Sequence, residues 1–572
     1  MQARGGNPWV KLPPHNNSMS TAVRHLTPPS TAPANPWWRG ATIYQIYPRS
    51  FLDTNGDGVG DLPGIIERLD YVASLGVEAI WVSPFYKSPM ADFGYDIADY
   101  RAVDPIFGTL ADFDRLIARA HNLGLKVIVD QVPSHTSDQH AWFHESRQSR
   151  RNPKSDWYVW ADARPDGTPP NNWLSIFGGV AWTWEPRRGQ YYLHNFLKSQ
   201  PDLNFHNPDV RHAALDTMRF WLARGVDGLR LDAINFCFHD QKLRDNPPRP
   251  PHARKPTGFS AENPYGYQWH NHNNTQPEML PFLEEIHALI EEYPGAMALG
   301  EISSDDSTAT VAEYTQPGRL HMAYSFELLS NDNSPQHIRA TVEQLRQRAP
   351  QSWPCWTISN HDVERVVSRW GRSAPYLPHS ATQLTALICA LRGSVCVFQG
   401  EELGLGEADV PYESLRDPYG IAFWPAFKGR DGCRTPMPWE SNESGGFSSA
   451  KPWLPVPHQH LALSVAAQER EETSALHGFR RLLAWRKQQP LLITGDIEFL
   501  AATNSVLAFR RFDKHGALLV AFNLSAEEAT LSLPQFQVAH SISGHGLPEG
   551  SFANATLTLP GHGVAFFQLA AP

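Results

Sequence analysis

Acidic and basic side chains gather at a few short places in this chain. Asp130 opens Asp130-Gln131-Val132-Pro133-Ser134-His135, Arg230 stands two residues before Asp232, and Glu301 follows Gly300. Asn360-His361-Asp362 are consecutive, and Asp92-Phe93-Gly94-Tyr95 sets a carboxylate beside aromatic rings. Each cluster closes or follows a short apolar run. Three carboxylates on separate runs, Asp232, Glu301 and Asp362, could converge on one cavity, where such groups do acid–base and nucleophilic work. A different chemistry is written in Asp53-Thr54-Asn55-Gly56-Asp57-Gly58-Val59-Gly60-Asp61, which places oxygen donors at alternate positions with glycine at the sixth. The first half of an EF-hand calcium loop has this pattern, but position twelve is Gly64 rather than a bidentate Glu, so the segment is not an EF-hand.

The elements that must position these residues follow from the apolar pattern. Eight runs recur: Thr42 to Tyr47, Ala79 to Pro84, Lys126 to Gln131, Gly228 to Asp232, Met297 to Glu301, Met322 to Leu328, Pro354 to Ser359 and Ser394 to Gln399. Amphipathic stretches lie between them, at Leu62 to Leu75, Leu110 to Leu123, Val210 to Arg224 and Glu278 to Tyr293. Strand–helix alternation with strands apolar enough for burial on both faces predicts an α/β fold, a closed (β/α)8 TIM barrel. No strand opens into GxGxxG or a P-loop, which argues against a nucleotide-binding open sheet. In such a barrel the active site lies at the C-terminal strand ends, where the polar clusters stand.

The third and fourth runs are separated by far more than one barrel unit, which predicts an inserted subdomain at 133–205. The barrel then takes 36–132 and 206–490. After His477 to Gln489 the pattern changes to alternating segments, Val506 to Phe512, Ala517 to Asn523 and Ala529 to Leu533, and predicts a C-terminal antiparallel β domain at 491–572. Residues 1–35, rich in Pro, Ser, Thr and Asn without an apolar core, read as a disordered tail rather than a signal peptide.

Composition narrows the partners. Charged residues make up 19 % and hydrophobic ones 41 % of 572 residues, a globular balance. Forty-nine Lys and Arg against 59 Asp and Glu give a net charge of -10 without a long basic run, so nucleic acid is not expected as a partner and a neutral small molecule is. Five scattered cysteines without CxxC spacing indicate neither a disulfide framework nor zinc. No apolar stretch reaches the length of a membrane span. A cytoplasmic location is expected.

Taken together, Asp130 to His135, Gly228 to Asp232, Glu301 and Asn360 to Asp362 resemble, in order and spacing, the four short motifs of glycoside hydrolase family 13, the α-amylase family. Gln200-Pro201-Asp202-Leu203-Asn204 resembles the fifth motif as the α-glucosidase and oligo-1,6-glucosidase branch writes it. The resemblance runs from about Trp37 to the C-terminus. It implies a retaining double displacement in which Asp232 is the nucleophile, Glu301 the acid and base, and Asp362 the carboxylate that binds sugar hydroxyls. Arg230 shares a strand face with Asp232 and would keep it ionised. His135 and His361 resemble the family's hydroxyl-binding histidines, and Tyr95 and Phe177 would wall the sugar.

Asp92 and Arg434, in Arg430-Asp431-Gly432-Cys433-Arg434, resemble the pair that closes the pocket floor in this branch. A closed floor implies an exo-acting enzyme on short α-glucosides such as maltose. Ala233 follows the nucleophile where α-1,6-acting members usually carry Val, which points to α-1,4 bonds. The branch also uses the loop after the first strand as a structural divalent-cation site, Ca²⁺ or Mg²⁺, with side-chain oxygens from Asp53, Asn55, Asp57 and Asp61 and the carbonyl of Val59. Transfer of glucose to an alcohol or sugar acceptor is continuous with hydrolysis. An α-glucosyltransferase or a sucrose- or trehalose-isomerising enzyme of the same fold is the alternative reading. Family relatives that lack catalysis and serve as transporter ectodomains are set aside by the complete carboxylate set.

Overall fold

The structure is a computed structural model and describes residues 35–254, 261–372, 376–500 and 503–570. The expected tail at 1–35 lies outside the described residues except for its last position.

Eight strands form one parallel sheet: β1 (Thr42–Ile46), β2 (Ala79–Val82), β3 (Lys126–Gln131), β4 (Gly228–Leu231), β5 (Met297–Ile302), β6 (Met322–Ser325), β7 (Cys355–Trp356) and β8 (Ser394–Phe398). Their order is β6-β5-β4-β3-β2-β1-β8-β7, and a parallel bridge between Ala323 and Pro354 joins the two ends. The TIM barrel is thus closed, most thinly at β7. Pro354 has no N–H to give to a ladder, and its carbonyl accepts from Ser394 N at 2.9 Å.

Helices follow each strand: α1 (Leu62–Ser74), α2 (Leu110–Asn122), α3 (Pro208–Leu222), α4 (Met279–Glu291), α5 (Ser307–Tyr314), α6 (Pro335–Arg348), α7 (Pro378–Ala390) and α8 (Ala475–Arg486). The N-termini of α1, α2, α3, α5, α6 and α8 are capped by the side chains of Asp61, Thr109, Asn207, Asp306, Ser334 and Ser474, whereas α4 and α7 have no side-chain cap. The α2 terminus carries a reciprocal capping box between Thr109 and Asp112.

Because side chains alternate along a strand, every second residue points into the barrel. The apolar interior holds Ile43, Ala79, Ile128, Met297, Leu299 and Met322. One step further along the same parity come Gln45, Trp81, Asp130, Arg230, Glu301 and Tyr324, all buried. The barrel therefore changes from an apolar plug to a polar layer at its C-terminal end, and the site stands on that layer.

Between β3 and α3 the chain forms a small antiparallel sheet, with Gln190–Leu193 between Trp160–Ala161 and Trp182–Glu185. Bridges from His135 to Asp202 and from Tyr158 to Leu203 tie this segment back to its own start and end. Beyond α8 lie a five-stranded and a three-stranded antiparallel sheet packed around Val506, Leu519, Leu531, Leu557 and Phe567. No helix among the described residues is long and apolar enough to cross a membrane. Replacing Thr109 by Ala leaves the α2 amides without their cap and is expected to lower unfolding free energy by about 1 kcal/mol, measured by urea denaturation.

Candidate active site

Arg230 sits at the centre of the polar layer, with 0 % of its side chain exposed. A buried guanidinium must be fully paired, and it is. Its Nη1 donates to Asp130 Oδ1 at 2.8 Å and to Asp232 Oδ1 at 2.6 Å, while Nη2 meets Glu301 Oε2 at 2.6 Å. Asp130 is held in turn by Trp81 Nε1 and Tyr95 Oη, each at 3.1 Å. Asp232 follows β4 directly, with its amide on the Gln131 carbonyl at 2.8 Å. The next residue, Ala233, has φ 41° and ψ 43°, a left-handed conformation that turns its amide onto Glu301 Oε2 at 3.1 Å.

A second charged cluster lies across the cavity. Arg430 donates from Nη2 to Asp92 Oδ1 at 2.8 Å and from Nη1 to Asp362 Oδ1 at 3.1 Å. Arg434 donates from Nη2 to Asp362 Oδ1 at 3.0 Å and from Nε to the His361 carbonyl at 2.7 Å. The expected partner of Asp92 was Arg434, and this is corrected: the direct pair is Asp92 with Arg430. Both arginines stand in one five-residue turn, and their spacing does not say which side chain crosses to the Asp92 loop. Arg434 is drawn behind Asp362 instead.

The Asp92 loop is shaped by positive φ at Phe93 (51°) and Gly94 (113°). A Cβ at Gly94 would lie 3.0 Å from the Pro84 carbonyl oxygen, so glycine is needed there. Asp96 fixes the turn by accepting the amides of Ala91 and Asp92 at 2.8 and 2.9 Å. This presents Tyr95, whose ring stacks on His361 at 5.1 Å and 6°. His361 Nδ1 meets Gln45 Nε2 at 2.8 Å, leaving its Nε2 3.4 Å from Asp362 Oδ2. His135 reaches the Tyr95 carbonyl through Nε2 at 3.0 Å. Burial lowers both histidines, His135 to about 4 and His361 to about 3, so both are neutral hydrogen-bonding groups.

One cavity is lined by Asp92, Tyr95, His135, Phe177, Asp232, Glu301, His361 and Asp362. Arg230 lies under it and Arg434 behind it. Phe177 stands on the far wall, 5.4 Å from the Tyr419 ring with the Arg430 guanidinium 5.0 Å over its face. Arg430, Tyr419, Phe196 and Phe236 also line the cavity and were not foreseen, because they come from loops and from helical segments, at Ile234–Phe236 and Pro418–Phe423, too short to show a period. Gln200, in the fifth motif, donates to Asp92 Oδ2 at 3.1 Å.

The charges differ in their protonation. Burial raises Glu301 and Asp232; contact with Arg230 opposes this in both, while Asp232 and Asp362 push Glu301 further up, to about 8. Burial also acts on Asp362, but His361, Arg430 and Arg434 outweigh it and hold that carboxyl below the usual range. Contrary to expectation, Arg230 does not bring Asp232, raised to about 7, back into the usual carboxylate range, so Glu301 and Asp232 together form a proton-retaining pair that faces one carboxyl held as an anion, Asp362.

The 53–61 loop lies apart from this cavity. Asn55 N donates to Asp53 Oδ1 at 3.0 Å, Asp57 N to Asn55 Oδ1 at 2.9 Å and Val59 N to Asp57 Oδ1 at 2.8 Å, three successive Asx turns. Asp61 caps α1 through Gly64 N at 2.7 Å.

A closed (β/α)8 barrel with three carboxylates around a buried arginine at its C-terminal end defines a glycoside hydrolase site. Residues 45–495 match the α-amylase catalytic domain, and residues 494–566 match a domain of unknown function, DUF3459. The chain belongs to the α-amylase family, glycoside hydrolase family 13, and within it to the α-glucosidase branch. It is 54 % identical over 541 residues to a probable α-glucosidase of Rhizobium meliloti (strain 1021), covering 94 % of this chain and 98 % of that protein. It is 39 % identical over 536 residues to an oligo-1,6-glucosidase of Heyndrickxia coagulans, covering 87 % and 94 %. The crystal structure of an α-glucosyl transfer enzyme, XgtA, superposes with a TM-score of 0.92 at 63 % identity, covering 94 % of this chain and 100 % of that one.

Arg430→Ala strips a buried partner from Asp92 and from Asp362, and kcat/KM on an α-glucoside is expected to fall roughly 30-fold or more. Steady-state kinetics checks this; a loss below about 3-fold, small against the usual cost of an unpaired buried charge, would contradict the pairing.

Proposed function

We propose that the protein is a retaining, exo-acting α-glucosidase that removes terminal α-1,4-linked glucose from short glucosides such as maltose. The observation that carries this is the single guanidinium of Arg230, which holds Asp232 on one nitrogen and Glu301 on the next, each at 2.6 Å. Two carboxyls on one small planar group fit the separation of about 5 to 5.5 Å used for direct attack better than the about 6.5 to 9.5 Å that leaves room for a water.

In the first step Glu301 gives its proton to the departing glycosidic oxygen while an oxygen of Asp232 bonds to the anomeric carbon. In the second, Glu301 takes a proton from water or an alcohol, which displaces Asp232. Asp362, kept anionic between Arg430 and Arg434, holds sugar hydroxyls and stabilises the positive charge that develops on the ring. Asp92 and Arg430 close the floor, which supports cleavage of one terminal glucose. Ala233 lines the cavity with a small side chain, which supports the α-1,4 preference. The likeness to a glucosyl transfer enzyme at 63 % identity favours transfer of glucose as a second outcome of the same intermediate.

Incubation with maltose and an alcohol acceptor, followed by NMR, tests this reading. The first-formed products are expected to be α-configured. A β-configured first product, or faster turnover of isomaltose or starch than of maltose, would sink the mechanism or the specificity. Because Glu301 must be protonated to act, kcat/KM is expected to decline as pH rises through its raised value near 8, and on the acid side as Asp232 gains a proton. A pH–rate profile whose basic limb lies in the ordinary glutamate range, about 4.3, would remove Glu301 from this role.

We further propose that the 53–61 loop binds a structural divalent cation through the side chains of Asp53, Asn55, Asp57 and Asp61 and the carbonyl of Val59. The alternating oxygen donors, held in consecutive Asx turns, fit a hard cation. The ion would tie the start of α1 to the loop that leaves β1. EDTA is expected to lower Tm without altering the pH profile; an unchanged Tm on chelation would withdraw the site.

A further inference from the structure

Tyr324 is on β6, two residues after Met322 and on the same inward parity, and its ring is buried beside the catalytic groups. Its hydroxyl touches two of them. Arg230 donates to Tyr324 Oη from Nη2 at 2.8 Å and from Nε at 3.3 Å. With those N–H groups facing its lone pairs, the phenolic proton is directed at Glu301, and Tyr324 Oη donates to Glu301 Oε1 at 3.0 Å. Burial raises the phenol far above its ordinary range, so the donor keeps its proton at any working pH. The other oxygen of Glu301, Oε2, faces Arg230 Nη2 and Ala233 N. The carboxyl is therefore gripped at both oxygens, and its plane is fixed.

We propose that Tyr324 is a positioning residue for the general acid: it holds the Glu301 carboxyl in the orientation for proton transfer and stabilises the carboxylate that transfer leaves behind. The inference rests on the reading of Glu301 as the acid. As the proton passes from Glu301 to the glycosidic oxygen and the bond to the anomeric carbon breaks, negative charge grows on Glu301. A hydrogen bond already aimed at Oε1 strengthens with that charge, so its stabilisation is larger in the transition state than in the resting site. Arg230, which donates to the same hydroxyl, polarises it in that direction. The groups facing Glu301 are Arg230 and Asp232 from β4 and its end, Asp130 from β3, Asp362 after β7, the Ala233 amide and Tyr324 itself. Of the side chains among them, Tyr324 is the uncharged donor, so it can be removed without changing the charge count of the site.

Tyr324→Phe removes one oxygen and keeps the ring that packs against Trp81 at 6.2 Å between centroids. With fold checked by Tm, kcat/KM on maltose is expected to fall about 10-fold, a fraction of the roughly 10²- to 10⁴-fold worth of a general acid. On p-nitrophenyl α-glucoside, whose leaving group departs with little protonation, the loss is expected to stay below about 2-fold. The basic limb of the maltose profile is expected to move up by about one pH unit, because the ionised form loses a hydrogen bond. Equal losses on the two substrates, or an unmoved limb, would overturn the proposal. In a Glu301→Gln background the added Tyr324→Phe change should cost less than about 2-fold; the full loss there would mark Tyr324 as structural only. If the Phe variant does not fold, Tyr324→His supplies a smaller donor and is read by the same substrate ratio. A Glu301→Gln enzyme with undiminished maltose turnover would instead strike at the underlying reading of the acid.

Discussion

The structure depends on how one buried positive charge is accommodated. Arg230 has no access to solvent, so its donors must be satisfied inside the barrel. The groups that satisfy them are Asp130, Asp232, Glu301 and Tyr324, delivered by four neighbouring strands, β3 to β6. Leaving a partner of such a cluster unpaired typically costs about 3–5 kcal/mol. That constraint fixes strand register as well as side-chain direction, because a one-residue slip in β4 would turn the guanidinium out of the barrel. The apolar layer beneath it, from Ile43 to Met322, is the dry floor that makes the pairing obligatory.

The same logic explains the division of labour above that layer. Burial raises both carboxyls on the Arg230 guanidinium while the guanidinium itself opposes the rise, so the pair keeps a proton at a pH where free carboxyls have lost theirs. Asp362 escapes this pressure because Arg430 and Arg434 reach it from a separate loop. Charge is thus segregated within the cavity: a proton-retaining pair on Arg230, and a carboxylate held anionic by His361, Arg430 and Arg434. A neutral substrate suits a cavity whose charges are already matched to each other, and the net charge of -10 pointed away from polyanionic partners from the start.

Much of this was legible along the chain. The β1 to β6 and β8 runs were placed by apolar patterning within a few residues, since strands buried on both faces are short and continuous in character. The helices α1 to α4 and α8 announced themselves through amphipathic spacing, and Val506–Phe512 and Ala517–Asn523 through alternation. Helices α5 to α7 were not read, and α7 shows why: it is buried along most of its length and carries no polar stripe to give a period. The Asp92 partner was misassigned because two arginines four residues apart are equivalent as sequence. Tyr324 was invisible for another reason: a tyrosine in an apolar run reads as core until its hydroxyl is seen to have two charged neighbours.

The order of residues by itself determined which side chains stand at strand ends and which share a strand face, because a strand's two-residue period is a local property of the backbone. It therefore determined the barrel, the family resemblance and the candidates Asp232, Glu301 and Asp362. Only the tertiary structure decided which charges meet. Whether Arg430 or Arg434 reaches Asp92, whether Phe177 faces the cavity and how Glu301 is gripped all depend on segments tens to hundreds of residues apart packing against one another, and no local periodicity encodes those distances.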